Sequence, residues 1–289
     1  MAVTLITGTS SGIGLVTALH FARRGHRVYA TMRDLDRCAL LRDAAMVEDL
    51  PLSLHRLDVT DEASVAEAVE LILAEVGRID VAVNNAAISH YSPLEHTSDT
   101  QLRTLYDTNV LGPLRVIRAV LPTMRAQRSG AIVNISSIAA HLTMLCTGPY
   151  SMTKHALEAA SETLALEVRP FGIRVAIIEP GLFATRMAPA RSLGADPASP
   201  YADAERRVRR WFRQAKDSAG DPLVVAQVIE HAATTDEPQL RYLIGADAAL
   251  FVHGRERISD EDWIELGRPM SDEQFLTEFA AHFPIPASV

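Results

Sequence analysis

The stretch Val3-Thr4-Leu5-Ile6-Thr7-Gly8-Thr9-Ser10-Ser11-Gly12-Ile13-Gly14 decides the fold of this chain. Its first five residues are apolar and β-branched, which predicts a short buried strand. A glycine turn follows, and after it the apolar residues recur with helical spacing as far as Gly25. Glycines allow the backbone to turn tightly and to approach a pyrophosphate, whose charge is attracted by free N-H groups at a helix start. The stretch therefore predicts a strand, a dinucleotide-binding turn and a helix.

The glycine spacing is Gly-x-x-x-Gly-x-Gly and not the common Gly-x-Gly-x-x-Gly. A purely structural glycine turn is therefore the alternative. The position of the turn, between the first strand and the first helix, favours cofactor binding.

Strand and helix patterns continue to alternate after this unit. Such alternation indicates parallel strands joined by right-handed crossovers, with helices on both faces. We predict an α/β fold, a single Rossmann-type doubly wound domain with a seven-stranded parallel sheet. The six further strands are expected at 26–31, 52–57, 79–83, 131–135, 174–178 and 240–244.

The length of 289 residues suits one such domain. Residues 1–250 are expected to form the Rossmann domain. Residues 251–289 are expected to be a C-terminal surface extension of the same domain, because this segment has too few apolar residues for a core of its own.

Composition excludes several other classes of protein. A formal net charge of -8 argues against a general nucleic-acid binder, which needs an excess of Lys and Arg. No apolar run reaches the ~18 residues of a membrane span, and the N-terminus does not resemble a signal peptide. Cys38 and Cys146 lack metal-ligand spacing. We therefore expect a reduced, cytoplasmic protein without a metal.

Arg33 follows the second predicted strand, where this fold meets the adenosine ribose. A carboxylate there would bind the ribose 2'-hydroxyl and repel a 2'-phosphate, whereas an arginine can bind the phosphate. Arg33, with Ser10 or Ser11, therefore favours NADP(H) over NAD(H). The alternative is a solvated surface arginine beside Asp34.

Two polar residues further along leave alternatives open. Asp58, at the end of the third strand, could accept a hydrogen bond from the adenine amino group or could help to start the next helix. Asn109 lies within a long predicted helix, from about 98 to 124, and its amide needs a partner. It is either a satisfied core amide or a functional group.

Tyr150 and Lys154 lie four residues apart, on one face of a predicted helix. Alone, this spacing is more often an ordinary surface contact. Ser137, however, ends the fifth strand and can face Tyr150 across a cleft. Ser137 could then hold a substrate carbonyl while Tyr150 transfers a proton and a nicotinamide supplies hydride. Lys154 would lower the pKa of Tyr150 and contact the nicotinamide ribose.

With these residues the chain resembles the classical short-chain dehydrogenase/reductase family over roughly residues 3 to 250. The segment from Val28 to Asp34 is similar to that of 17β-hydroxysteroid and retinol dehydrogenases, where an arginine favours NADP(H). One departure is Ala87, where the family usually has glycine. The motifs occur in the family's order: Thr7-Gly8-x-x-x-Gly12-Ile13-Gly14, Asp58-Val59, Asn84-Asn85-Ala86, Asn109, Ser137, Tyr150-x-x-x-Lys154 and Pro180-Gly181.

The resemblance implies a role for each motif. Ser137 would orient the substrate, Tyr150 would act as general acid or base, Lys154 would tune it, and Asn109 would hold a water of the proton relay. The residues expected to contact the cofactor are Gly8, Ser10, Ser11, Gly12, Ile13, Gly14, Arg33, Asp58, Val59, Asn85, Ala86, Tyr150, Lys154, Pro180, Gly181 and Thr185.

The resemblance also implies a mobile substrate lid at about 182–220. Residues expected near the substrate are His141, Leu145, Leu182, Phe183 and Trp211. Several arginines of the lid, from Arg206 to Arg213, could bind an acidic substrate or form a solvated basic face.

We predict an NADP(H)-dependent oxidoreductase that interconverts a ketone or aldehyde and an alcohol, with a small lipophilic substrate. The alternatives are a catalytically silent NADP(H)-binding sensor or partner protein, and an epimerase or dehydratase of the same family. The family also leads us to expect a homodimer or homotetramer.

Overall fold

The computed structural model describes residues 1–185, 187, 193, 196–215 and 219–283. Its centre is a seven-stranded sheet in which all the strand pairs are parallel, with the order β3-β2-β1-β4-β5-β6-β7. This confirms the predicted fold class. The strands are β1 (Val3–Thr7), β2 (Arg27–Met32), β3 (Leu52–Arg56), β4 (Val81–Asn84), β5 (Gly130–Ile135), β6 (Ile173–Pro180) and β7 (Arg241–Ile244).

Helices cover both faces of this sheet. Because successive side chains of a strand point to opposite faces, Leu5 and Ile6 belong to two different core clusters. The helices are α1 (Gly12–Arg23), α2 (Ala39–Val47), α3 (Glu62–Val76), α4 (Asp99–Tyr106), α5 (Gly112–Gln127), α6 (Gly148–Val168), α7 (Ala202–Ala215), α8 (Pro222–Thr234), α9 (Ala246–Arg257), α10 (Asp260–Glu265) and α11 (Asp272–His282). Residues of α1 and α8 pack on one face, and residues of α3, α5 and α6 pack on the other.

The strand register brings the carboxyl ends of the central strands to one edge of the sheet. Thr7 pairs with Thr31, Asn84 with Asn134, and Ile135 with Ile178. The segments that follow β1, β4, β5 and β6 therefore meet at this edge, which is where ligands bind in open parallel sheets.

The long helix predicted from about 98 to 124 is interrupted near its middle. Ser98 begins α4 with a capping box formed with Gln101. A π-helical turn, Asp107–Leu111, then separates α4 from α5 and contains the buried Asn109. Such turns occur frequently at functional sites.

The C-terminal helices differ from the expected surface extension. Phe275 and Phe279 of α11 and Phe283 directly after it recur every four residues, and all three are buried together with Phe251 of α9. The cluster also contains Trp211 of α7. The segment is polar in overall composition, but it has one apolar face, and this face packs against the lid helix α7.

The predicted lid is described in part. Of the segment 182–220, residues 186, 188–192, 194–195 and 216–218 lie outside the described residues. The rest includes α7, whose apolar face packs inward. Within the described residues, no helix is long and apolar enough to cross a membrane.

Candidate active site

The glycine turn after β1 has no room for side chains. Gly8 has a φ of +72°, and a Cβ at this position would lie 2.7 Å from the Cα of Ala86. Asn85 closes the turn, because its Nδ2 donates to the carbonyls of Thr7 (2.9 Å) and Gly8 (3.0 Å). A Cβ at Gly14 would collide with the same amide. The turn therefore keeps a bare backbone surface.

Thr7 joins the ends of β1 and β4, which the sequence did not reveal. Its hydroxyl oxygen accepts from the backbone N-H groups of Asn85 and Ala86, both at 3.1 Å. In the sequence Thr7 is a β-branched strand residue and the first position of the glycine motif, and the sequence predicts no role for its hydroxyl. Its contacts depend on a segment almost eighty residues away, so no local pattern could predict them.

The start of α1 fits a pyrophosphate. Its N-cap residue, Ser11, makes no side-chain capping hydrogen bond, and the first turn contains no acidic residue. The first N-H groups of a helix have no intrahelical partner and carry a partial positive charge. Thr185 approaches from the loop after β6, with its Cβ 3.3 Å from the position of a Cβ at Gly12. Ser10, Ser11 and Ile13 are half-buried around the same turn.

The predicted adenosine end contains Arg33, which is exposed directly after β2. Among the described contacts Asp34 forms no ion pair with Arg33. The Asp34 carboxylate instead accepts a hydrogen bond from the backbone N-H of Asp36 at 3.0 Å. Asp58 accepts on one oxygen from the backbone N-H and hydroxyl of Thr60, and Asp61 is the residue that caps α3. Arg33 is thus placed where a 2'-phosphate could be bound.

Val59 and Ala86, also predicted at the cofactor, lie directly beside this edge of the sheet. Val59 is buried, and its carbonyl accepts from Arg115 at 3.0 Å. Ala86 is half-buried after β4.

Tyr150 lies in the first turn of α6 and is only 6% exposed. Its hydroxyl is in hydrogen-bonding contact with the side chain of Ser137. Burial raises the pKa of the Tyr150 phenol well above its usual value, and the Ser137 contact partly opposes this. Ser137 is itself positioned by the backbone N-H of Ala139, which donates to its oxygen at 3.1 Å.

Lys154 is almost fully buried one turn further along α6. Its Nζ donates to the carbonyl of Ile135 at 2.8 Å, and it lies 5.5 Å from the centroid of the Tyr150 ring. Burial lowers the pKa of Lys154 to about 8, and the charge of Glu158 opposes this. The direction of the Tyr150 pKa shift is set by burial and is opposed by Ser137, so the lowering of the Tyr150 pKa by Lys154 stays a prediction.

Asn109 is a satisfied buried amide. Its Oδ1 accepts from the backbone N-H of Ile88 at 2.9 Å, and its Nδ2 donates to the carbonyl of Ile88 at 2.8 Å. The same Nδ2 donates to the hydroxyl of Thr153 at 3.1 Å, and Thr153 donates to the carbonyl of Tyr150. The side chain therefore connects the loop after β4 to the helix that carries Tyr150. A water in a proton relay would need the backbone of Asn109 or the remaining lone pair of Oδ1.

The loop after β6 is fixed by Asp247, a residue that the sequence did not indicate. Asp247 Oδ2 accepts from the backbone N-H of Leu182 at 2.7 Å, and a Cβ at Gly181 would collide with this carboxylate. The Gly181 N-H donates to the carbonyl of Ile244 at 2.8 Å. Pro180 and Gly181 therefore have a defined path beside the end of β5.

Apolar residues of the lid helix cover Tyr150. Tyr91, Leu193 and Val208 are buried in one cluster with it, and Phe212 packs against them. The Tyr91 ring centroid lies 5.7 Å from that of Tyr150 and 5.3 Å from that of Phe212. These residues form an apolar wall on the side of Tyr150 that faces the lid.

A cavity of about 470 Å³ lies between this lid, the segments 92–95 and 143–148, and the C-terminal helices. Of the five predicted substrate residues, Leu145 lines it. Trp211 packs with Phe251 and Phe279, and Leu182 joins the same aromatic cluster. Phe183 packs against the main core, and His141 binds Glu179. The structure therefore brings Leu145, Leu182 and Trp211 into one cluster and places Phe183 and His141 outside it.

The basic lid helix is partly neutralised by the C-terminal helices. Arg206 pairs with Asp203 and Asp272. Arg207 is buried and donates to the carbonyl of Met270 at 2.6 Å. These arginines attach α7 to the α10–α11 segment, which leaves Arg210 and Arg213 on the exposed side.

Comparison with known proteins identifies the family. The family model described as "short chain dehydrogenase" matches residues 2–195, which is more than half of the chain. The chain belongs to the short-chain dehydrogenase/reductase family. The resemblance stated from the motifs is thereby confirmed, and the protein is an enzyme of the oxidoreductase class.

Named relatives of this short-chain dehydrogenase/reductase act on different compounds. This chain is 36% identical over 251 residues to estradiol 17-beta-dehydrogenase 1 of Rattus norvegicus, and the match covers 83% of this chain and 72% of the rat protein. It is 34% identical over 245 residues to 3-ketodihydrosphingosine reductase of Bacteroides thetaiotaomicron, covering 84% and 87%. A short-chain dehydrogenase crystal structure from Streptomyces avermitilis is 36% identical, covers 92% and 94%, and gives a TM-score of 0.79.

Solved relatives with a bound cofactor do not agree on one nicotinamide nucleotide. A metagenomic short-chain oxidoreductase in complex with NADP is 25% identical, covers 84% of this chain and 96% of its own, and has a TM-score of 0.68. A Burkholderia phymatum enzyme in complex with NAD is 24% identical, covers 93% and 98%, and has a TM-score of 0.77, a likeness of fold alone. Membership of the family therefore supports NAD(P)-dependent oxidoreduction by this chain. The choice between NAD and NADP depends on residues of this chain.

Proposed function

We propose that this short-chain dehydrogenase/reductase uses NADP(H) to interconvert a lipophilic ketone or aldehyde and the corresponding alcohol. The observation that carries the proposal is the contact between the Tyr150 phenol and the Ser137 hydroxyl, with the buried Lys154 held at the end of β5 beside them. Those groups lie at the same sheet edge as the bare glycine turn.

In carbonyl reduction, Ser137 would donate a hydrogen bond to the substrate oxygen and Tyr150 would protonate it. The Tyr150 phenol is protonated at neutral pH, as a proton donor must be, but burial raises its pKa and makes it a weaker acid, so a nearby positive charge such as that of Lys154 is needed to assist the transfer. When bound, the nicotinamide would supply the hydride to the carbonyl carbon. In alcohol oxidation Tyr150 would take the proton instead, which requires the phenolate.

Lys154 would favour that phenolate through its charge and would contact the nicotinamide ribose. Its pKa of about 8 leaves the ammonium mostly protonated at neutral pH. The Ile135 carbonyl holds the Nζ in place at 2.8 Å, so the charge is delivered at a defined point. Asn109 would contribute to the relay by positioning α6 and, in the family's manner, a water.

Arg33 supports NADP(H) as the cofactor. It is exposed after β2, and its neighbour Asp34 is used to cap the following turn. We expect Arg33→Ala to weaken NADP+ binding at least about tenfold and to leave NAD+ binding within about twofold, since only NADP+ has the 2'-phosphate. Arg37→Ala is the matched control, because Arg37 is also an exposed arginine in the next turn. Equal losses for both nucleotides would refute the assignment.

The apolar wall around Tyr150 and the cavity beside the lid support a lipophilic substrate. Relatives are named for estradiol, an alcohol, and for 3-ketodihydrosphingosine, a ketone, so the ketone partner of estradiol and 3-ketodihydrosphingosine itself are the first compounds to test. The assay follows NADPH absorbance against a panel of steroid, sphingoid and retinoid carbonyl compounds. Turnover with lipophilic members supports the proposal, whereas NADPH binding without turnover on any member would favour a silent sensor.

The cytoplasmic location and the homodimer or homotetramer remain predictions. The helical spans 99–124 and 150–168 are the expected interface. Light scattering measures the mass, and a monomer at all concentrations would refute the oligomer.

A further inference from the structure

Charged side chains form a cluster around two buried glutamates, one of which lies one helical turn after Lys154. Glu158 lies one turn after Lys154 on α6 and is 8% exposed, and Glu179 at the end of β6 is 3% exposed. Arg241 of β7 lies between them, with its Nε 3.1 Å from Glu158 and 3.7 Å from Glu179. His141 approaches from the segment after β5 and contacts Glu179 at 2.7 Å.

The same side chains have donor atoms that could suit a metal ion. One ligand atom from each of His141, Glu158 and Glu179 lies within 4.8 Å of the others. The guanidinium of Arg241, however, already faces both carboxylates and compensates their charge. The cluster is therefore described better as an ion-pair network than as a metal site.

Glu158 has a direct electrostatic connection to Lys154. Residues four apart on a helix are neighbours, and helical side chains lean towards the N-terminus, so the Glu158 carboxylate leans towards Lys154. The charge of Glu158 opposes the lowering of the Lys154 pKa by burial. Among the described residues, the neutral carbonyl of Ile135 is the hydrogen-bond partner of the Lys154 Nζ. A negative charge is therefore needed nearby if the ammonium is to stay protonated.

We propose that Glu158 is a positioning residue that keeps the Lys154 ammonium charged, and that Arg241 holds the Glu158 carboxylate in its ionised form. The effect of this charge on turnover rests on the proposed function, whereas the effect of Glu158 on the protonation of Lys154 does not.

Charged and polar groups around Glu158 shift its pKa in opposite directions. Burial raises the pKa of Glu158, and the nearby charge of Glu179 raises it further, while Arg241 and the Ser136 hydroxyl lower it. Its hydrogen bond to Glu179 raises the pKa of His141, so the imidazolium adds positive charge on the far side of that carboxylate. Glu162, one turn after Glu158, also pairs with Arg241, at 2.8 Å.

Glu162 provides a matched control. Both glutamates bind the same guanidinium, but the Glu162 side chain is 59% exposed and lies two turns from Lys154. A merely structural role for Arg241 would make the two glutamates similar in effect. The proposal makes them different, because only Glu158 is next to the lysine.

The chain allows the Lys154 charge to be measured directly. Its only lysines are Lys154 and Lys216, so selective 13C/15N-lysine labelling gives two side-chain signals, and Lys216→Arg assigns them. We expect Glu158→Gln to lower the measured Lys154 pKa by on the order of one unit, since an opposite charge within ~4–6 Å shifts a pKa by ~1–3 units and Arg241 offsets part of this. Glu162→Gln should leave it within about 0.3 units.

Equal shifts in the two variants, or no shift in Glu158→Gln, would overturn the proposal. If Glu158→Gln does not fold, Arg241→Gln replaces it: loss of the guanidinium should favour protonated Glu158 and lower the Lys154 pKa in the same direction, and an unchanged value overturns the proposal. In the proposed function, the alkaline limb of kcat/KM moves to lower pH in Glu158→Gln. An NMR shift without this change in the kinetic profile would count against the assigned role of Lys154 and not against its coupling to Glu158.

Discussion

The replacement Asn109→Ala tests whether the buried amide holds the site together. The change removes three hydrogen bonds and leaves three groups without their side-chain partner: the N-H and carbonyl of Ile88 and the hydroxyl oxygen of Thr153. Each buried group left unpaired costs ~1–3 kcal/mol, and Ile88 is partly exposed, so we take the lower end and expect a loss of about 3 kcal/mol. With an unfolding entropy of ~2.1 cal/mol/K per residue, this lowers the Tm by about 5 °C.

Thermal and urea unfolding followed by circular dichroism measure this loss. Thr108→Ala is the control, because Thr108 lies in the same π-helical turn and its hydroxyl donates at 3.0 Å to the Thr104 carbonyl in an exposed hydrogen bond. We expect this control to change the free energy of unfolding by less than about 0.5 kcal/mol. If Asn109→Ala unfolds within about 1 °C of the control, the bracing role derived from the contacts is wrong.

Three further predictions follow from the site. Gly8→Ala should lower NADPH affinity more than about tenfold and destabilise the fold by more than the ~1–2 kcal/mol of a left-handed backbone, whereas Gly25→Ala, at φ +84° with no atom within 4 Å, should show only the backbone cost. Lys154→Met should abolish turnover yet raise the free energy of unfolding at pH 7 by about 2 kcal/mol, because a lysine whose pKa falls from 10.5 to about 8 on folding is costly to bury while charged. This gain in stability should shrink as the pH rises from 8 to 10.5, where the folded protein can hold the lysine uncharged. A variant that is less stable than wild type at pH 7 would count against the prediction. Since the pKa of His141 is raised from 6.5, its bond to Glu179 adds stability that is fully present below pH 6.5 and lost as pH rises through the raised value; wild type minus His141→Gln in urea should show this trend, and a pH-independent difference would refute it.

The local patterns predicted the sheet because its central strands are buried on both faces and are largely apolar. Val3–Thr7, for instance, is buried at every position. The positions of Gly8, Ser137 and Gly181 at one edge then follow from parallel topology alone. The prediction that Tyr150, Lys154 and Ser137 are close together needed only helix geometry and the end of β5.

Residues whose roles arise from distant segments could not be predicted in this way. Thr7, Asp247 and Arg241 are ordinary strand or helix-start residues in the sequence, and their partners lie between 62 and 83 positions away, after β4, in the β6 loop, in β6 and in α6. The position of Trp211 in the lid could not be predicted either, because a tryptophan is equally suited to a substrate pocket and to a hydrophobic core. Only the packing of α11 on α7 decides that it belongs to the core.

The most direct test of the account compares Tyr150→Phe with Tyr29→Phe on a lipophilic ketone that the wild-type enzyme reduces. Both variants lose one tyrosine hydroxyl, but that of Tyr29 binds Glu75 at 2.9 Å, away from the site. We predict that Tyr150→Phe lowers kcat/KM by roughly 10²–10⁴ with NADPH affinity within about twofold, because general acid catalysis contributes that much, while Tyr29→Phe leaves kcat/KM close to wild type. Turnover that survives in Tyr150→Phe would contradict the assignment of Tyr150 as the proton donor.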